Sequence, residues 1–107
     1  MKRGDFYLVP VAQRVDTKKQ RVYVVVSRQG LLESTYSTVI CAPVYSNTTG
    51  LHTEVPVGVD EGLKHDSYIR CDELVSILKS RLTNFVGRLS LQKTEQLNTA
   101  LRTSLGI

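Results

Sequence analysis

The segment Arg21–Ser27, RVYVVVS, constrains this chain more than any other stretch. Its β-branched residues run almost without a polar break, and β-branching suits a pleated strand better than a helix. So continuous an apolar run predicts a strand buried on both faces, which needs paired neighbours on either side. The flanking sequence supplies them. Asp5–Val11 (DFYLVPV) reads as a first strand that Pro10 confines to an edge or an end. Ser37–Val44 (STVICAPV) and His52–Val57 (HTEVPV) read as further strands. Ser67–Leu78 carries two strand pieces interrupted at Asp72-Glu73, and Phe85–Leu89 is a last strand crossed by Gly87, which predicts a bulge or a close backbone approach. Between them lie polar loops at 12–20 and 45–50, a connection at 28–36 with room for a helical turn, a charged turn around Gly62, and a short helical turn at 79–84. Strands at this spacing predict a small barrel or sandwich.

The pattern changes near the end. Leu91, Leu97, Ala100, Leu101 and Leu105 recur at helical intervals, with Ser90 as the expected N-cap and Gly106 as the expected stop. The fold class expected is therefore mainly β with a C-terminal α-helix. At 107 residues, without an internal repeat or linker, residues 1–107 form one domain. Cys41 and Cys71 sit in apolar runs and read as small buried hydrophobes rather than a disulfide or zinc site. Two histidines, His52 and His65, without paired-ligand spacing give no metal motif, and no cofactor is expected. No apolar run approaches the roughly 18 residues of a membrane span, and no signal-peptide pattern opens the chain. No membrane association is expected, and the cytoplasm is the expected compartment.

Charge is concentrated at one end. Residues 1–28 hold seven basic against two acidic side chains, a net +5, and the remainder holds seven against eight, a net −1. Arg14, Lys18 and Lys19 stand in or beside one loop, which favours a polyanionic partner. Other polar residues mark strand ends. Arg21 opens the apolar strand, and Tyr45, Ser46 and Asn47 follow the next one. Arg70 and Asp72 flank Cys71, so an extended backbone would turn both to one face.

RGDFYLV, RVYVVVS, TVICAPV with its polar loop, GLKHDSYIRCDEL, and GRLS leading to ALRTSLGI together resemble the MazF/PemK family of type II toxins over nearly the whole chain. The resemblance implies an SH3-like (CcdB-like) small barrel working as a homodimer. It also implies metal-independent, sequence-specific cleavage of single-stranded RNA, and a cognate antitoxin with an acidic flexible tail. Arg21 falls where the family has the arginine of its Arg-Pro strand, here followed by Val22. Tyr45 stands where many members have a phosphate-binding threonine; Ser46 or the Tyr45 hydroxyl would take that role. Arg70 and Asp72 match the Arg-Cys-Asp tripeptide of the Kid/PemK branch, with Glu73 replacing the usual glutamine.

The implied chemistry suits these residue types. The RNA 2′-hydroxyl attacks the adjacent phosphorus, giving a 2′,3′-cyclic phosphate and a 5′-hydroxyl. The reaction requires a base, positive charge on the phosphorane and help for the leaving oxygen. Asp72 is the expected base, while Arg21 and Arg70 stabilise charge, because guanidinium groups match phosphate oxygens but donate protons poorly. Arg14, Lys18, Lys19, Tyr45, Asn47 and His65 are the expected RNA contacts. A non-enzymatic topoisomerase-binding toxin of the CcdB type is the alternative implied by the same fold.

Overall fold

The computed structural model describes residues 1–10 and 20–107. Seven strands form one curled sheet: β1 (Asp5–Pro10), β2 (Gln20–Val25), β3 (Thr38–Tyr45), β4 (Glu54–Val57), β5 (Ser67–Arg70), β6 (Val75–Leu78) and β7 (Phe85–Arg88). A single helical turn, α1 (Gln29–Leu32), separates β2 from β3, and α2 (Leu91–Leu105) ends the chain. The path runs β4-β5-β3-β2-β1-β7, and β6 also pairs with β3. All pairings are antiparallel. The result is a curled half-barrel with a C-terminal helix, in line with the mainly-β expectation.

Strand β2 is central, as its sequence demanded, and it serves two cores. Val24 and Val26 face one cluster with Phe6, Ala42, Val44, Ile69, Leu97 and Ala100. Val25 and the partly buried Tyr23 face the other, with Tyr7, Val9, Val39, Cys41, Ile77 and Leu32 of α1. Alternation along one strand thus feeds both sides of the sheet. Both cysteines are free, buried thiols, and burial pushes them up to about 12 for Cys41 and about 11 for Cys71. They behave as the small hydrophobes expected.

Pro10 sits at the end of β1, beyond the residues that β7 pairs, so its missing N–H disturbs no ladder there. Gly87 fulfils both of its alternatives. Pairing jumps from Phe6 opposite Gly87 to Tyr7 opposite Phe85, which makes Val86 the extra residue of a bulge. A Cβ on Gly87 would lie 1.8 Å from the Glu61 carbonyl oxygen, so that backbone passes where no side chain fits. Helix α2 starts with Ser90 Oγ accepting the Lys93 N–H at 3.2 Å and stops at Gly106, whose φ of 70° closes the left-handed cap. Its apolar stripe is buried only in the middle turns. Leu97 and Ala100 are covered, but Leu91 and Leu105 are exposed, because the four-residue β4 and the turn at 71–73 lie under only part of a fifteen-residue helix.

One expectation about the backbone is corrected. The interruption between β5 and β6 is a 3-10 turn, Cys71–Glu73, not extended chain. It lets β3 pair with β5 through Val44 and Tyr45 and with β6 through Thr38–Cys41. Arg70 and Asp72 therefore do not share a face by strand alternation. The turn repeats every three residues, so Arg70 and Glu73 do.

Candidate active site

The ends of β2, β3 and β5 converge. Register places Tyr45 opposite Tyr68 on β5, two residues from Arg70, and Arg21 near the start of β2 donates to the Val44 carbonyl at 3.2 Å. The Arg21 guanidinium carbon lies 3.8 Å from the centre of the Tyr45 ring, and that of Arg70 lies 3.7 Å from the same centre. Two cations thus share one aromatic ring, within the range where the ring quadrupole attracts them. Arg21 is buried and held by the backbone, so its charge is fixed in place.

Carboxylates complete the cluster. The Tyr45 hydroxyl donates to Glu73 Oε1 at 3.1 Å, and Arg70 Nη1 donates to Glu73 Oε2 at 3.2 Å. Arg70 Nη2 reaches the Asn47 carbonyl at 3.4 Å. Arg70 Nε is buried without a hydrogen-bond partner, and its nearest carboxylate, Glu54, stands at 3.8 Å. Burial opposes ionisation of Glu54, yet hydrogen bonds from the Thr48 hydroxyl, Thr49 and the Gly50 N–H outweigh it and hold that carboxyl below its usual range. The Tyr45 phenol is shifted upward. Burial and the hydrogen bond to Glu73 raise it, and the charges of Arg21 and Arg70 pull it partly back. It is a proton donor at neutral pH.

Beside this cluster lies a cleft of about 460 Å³. Arg21, Tyr45, Ser46, Lys64 and His65 line its polar rim, over a floor that includes Leu8, Val22, Val44 and Leu63. Four expected site residues, Arg21, Tyr45, Ser46 and His65, therefore meet at one cleft, with Arg70 stacked on Tyr45 and Asn47 beside it through its carbonyl. Arg14, Lys18 and Lys19 lie outside the described residues.

Asp72 is placed elsewhere. Its Oδ1 accepts from Ser104 of α2 at 2.7 Å and its Oδ2 accepts from the Thr53 hydroxyl. Those two bonds hold its carboxyl below the ordinary value, against a small opposing effect of burial. Asp72 faces the helix, and Glu73 occupies the position beside Arg70 where Asp72 was expected. Glu73, Glu54 and Lys64 were not foreseen as site residues. The i, i+3 spacing from Arg70 would have found Glu73 had the Cys71 segment been read as a turn. Among the described residues, no three His, Cys, Asp or Glu side chains gather in a way that could hold a metal ion.

The curled half-barrel thus carries a cation-flanked tyrosine beside a cleft at one end of its sheet. Residues 2–105 match the family of PemK-like, MazF-like toxins of type II toxin–antitoxin systems, and the chain belongs to that family. Among solved structures it is similar to the Mycobacterium tuberculosis toxin MazF-mt6, with 23% identity and a TM-score of 0.83 over 96% of this chain and 97% of that one. An endoribonuclease in complex with its cognate antitoxin from a mycobacterial species is 21% identical, with a TM-score of 0.81 over 100% of this chain and 94% of the other. The MazE-MazF complex of Deinococcus radiodurans gives 17% identity and a TM-score of 0.77 over 100% and 96%. No curated relative matches the chain by sequence. Likeness at these identities is likeness of fold.

Proposed function

We propose that this toxin is an endoribonuclease that cuts single-stranded RNA by attack of the 2′-hydroxyl on the adjacent phosphorus, without a metal ion. The observation that carries the reading is the convergence of Arg21 and Arg70 on Tyr45 at the rim of the cleft. A scissile phosphate there meets two guanidinium groups suited to the charge that grows on a phosphorane. Ser46, Asn47, Lys64 and His65 are the flanking RNA contacts, and Arg14, Lys18 and Lys19 supply salt-sensitive phosphate attraction. The same cationic rim suits the acidic tail of a cognate antitoxin, as expected for a family with antitoxin complexes among its structural neighbours.

A homodimer is part of this reading. Pairing of Thr38 with Leu78 and of Ile40 with Ser76 sets Ile40 and Leu78 on the face opposite the buried Val39 and Ile77. Ile40, Leu78 and nearby Tyr36 are exposed apolar side chains that a second copy would cover. Ile40→Lys is expected to convert a dimer into a monomer by light scattering; an unchanged mass would remove this face from the interface.

The activity test is incubation of the purified chain with a long single-stranded RNA in EDTA. Discrete fragments ending in 2′,3′-cyclic phosphate are expected. Intact RNA together with gyrase-linked DNA breaks in induced cells would favour the CcdB-like alternative.

A further inference from the structure

We propose that Tyr45 and Glu73 form the proton-transfer pair of the cleavage reaction, an assignment that rests on the endoribonuclease reading above. Cleavage moves one proton. It leaves the attacking 2′-oxygen, and one must arrive on the departing 5′-oxygen. The base has to be an ionised group that substrate can reach, and the acid has to hold a proton that it can release.

The carboxylates near the cluster divide on those terms. Glu54 has both oxygens engaged, by the Thr48 hydroxyl at 2.6 Å and the Thr49 N–H at 2.8 Å, and only 6% of its side chain is exposed. Both oxygens of Asp72 are taken by Thr53 and Ser104 on the helix side. Glu73 also has both oxygens engaged, but by Tyr45 and Arg70 themselves; it alone of the three hydrogen-bonds both, and it leaves 46% of its side chain open. For the acid, the guanidinium groups hold their protons too tightly, and the Ser46 hydroxyl is a weaker acid than a phenol. The Tyr45 phenol is protonated at neutral pH, stands between the two cations that would stabilise its anion, and is already hydrogen-bonded to the base.

The step balances. The 2′-oxygen to phosphorus bond forms as its proton passes to the Glu73 carboxylate. The phosphorus to 5′-oxygen bond breaks as the phenol proton passes to the leaving oxygen. The phenolate then recovers a proton from Glu73 along their 3.1 Å hydrogen bond, and the protein returns to its starting state. No proton or electron is gained or lost overall.

The test takes the RNA site that the wild-type chain cuts and rebuilds it with sulfur in place of the 5′-bridging oxygen. A thiol is acidic enough to depart as thiolate without a proton. Tyr45→Phe keeps the ring for both guanidinium groups and removes only the hydroxyl. It is expected to slow ordinary RNA by about 10²–10³-fold and to recover most of that loss on the sulfur substrate. Glu73→Gln should be slowed on both substrates, whereas Asp72→Asn should cut close to the wild-type rate. Matching melting curves confirm that the isosteric variants are folded. Near-normal cleavage by Glu73→Gln, no sulfur rescue of Tyr45→Phe, or transfer of either signature to Asp72→Asn overturns the pair. A wild-type chain that cuts no RNA overturns the endoribonuclease reading first and the pair with it.

Discussion

Asp72 and Glu73 are consecutive exposed carboxylates, yet they belong to different halves of the molecule. Glu73 closes a cluster of charges at the ends of β3 and β5, where its partners are a phenol and a guanidinium. Asp72 clasps the sheet to α2 through two neutral hydroxyls, one before β4 and one in the last turn of the helix. Hydroxyl partners fix a carboxylate's position and bring no opposing charge. A guanidinium partner brings charge that can be shared with a phosphate. The contrast teaches that a one-residue step through a 3-10 turn separates a carboxylate held by the helix from one held in the charge cluster, although the two look interchangeable in sequence.

The strongest way to break the helix side is Leu97→Ala. Leu97 is fully buried in the cluster that joins α2 to Phe6, Val24 and Ile69. Removing it is expected to cost about 2–5 kcal/mol in urea unfolding. RNA cleavage per folded molecule should stay near normal below the transition. A large rate loss in fully folded protein would show that the helix reaches into the chemistry and that the two halves are not separable.

The reciprocal experiment breaks the cleft side. Arg70→Ala should lower the cleavage rate about 10²–10³-fold, the cost typical of losing one preorganised charge donor, with a smaller change in stability. Arg70→Lys should recover only part of the rate, because an ammonium can neither fork onto Glu73 and phosphate nor stack on Tyr45 as a planar group. Full recovery with lysine would mean that charge alone matters there.

Much of this contrast was legible beforehand, and the part that was not has a definite cause. Strand positions, the limits of α2 at Ser90 and Gly106, and the Gly87 bulge all follow from local rules: β-branching, capping and steric room. Arg21 and Tyr45 were legible as strand-end residues because register carries them to one end of the sheet. What failed was the extrapolation of two-residue alternation through Cys71. The apolar pattern around Cys71 looks the same for a strand and for a 3-10 turn, and the pairing of β3 with both β5 and β6 decides between them. That decision is non-local, so Asp72 was assigned to the wrong face and Glu73 was passed over.

The smallest expected effect sharpens the comparison most, because it reads the Asp72 clasp directly. Thr53 and Ser104 hydrogen bonds hold the Asp72 carboxyl below its ordinary value. A carboxyl depressed in the folded state contributes stability that is fully present above its unfolded value, about 3.9, and is lost as pH falls through the folded value. Thr53→Val or Ser104→Ala should therefore raise the Asp72 titration seen by carbon-detected NMR and shrink the loss of stability below about pH 4. Glu73 shares neither hydroxyl and is held by Tyr45 and Arg70, so RNA cleavage by either variant should stay near normal. If cleavage falls in step with the Asp72 shift, the turn at 71–73 transmits changes at the helix into the cleft, and the division between clasp and cluster fails at its narrowest point.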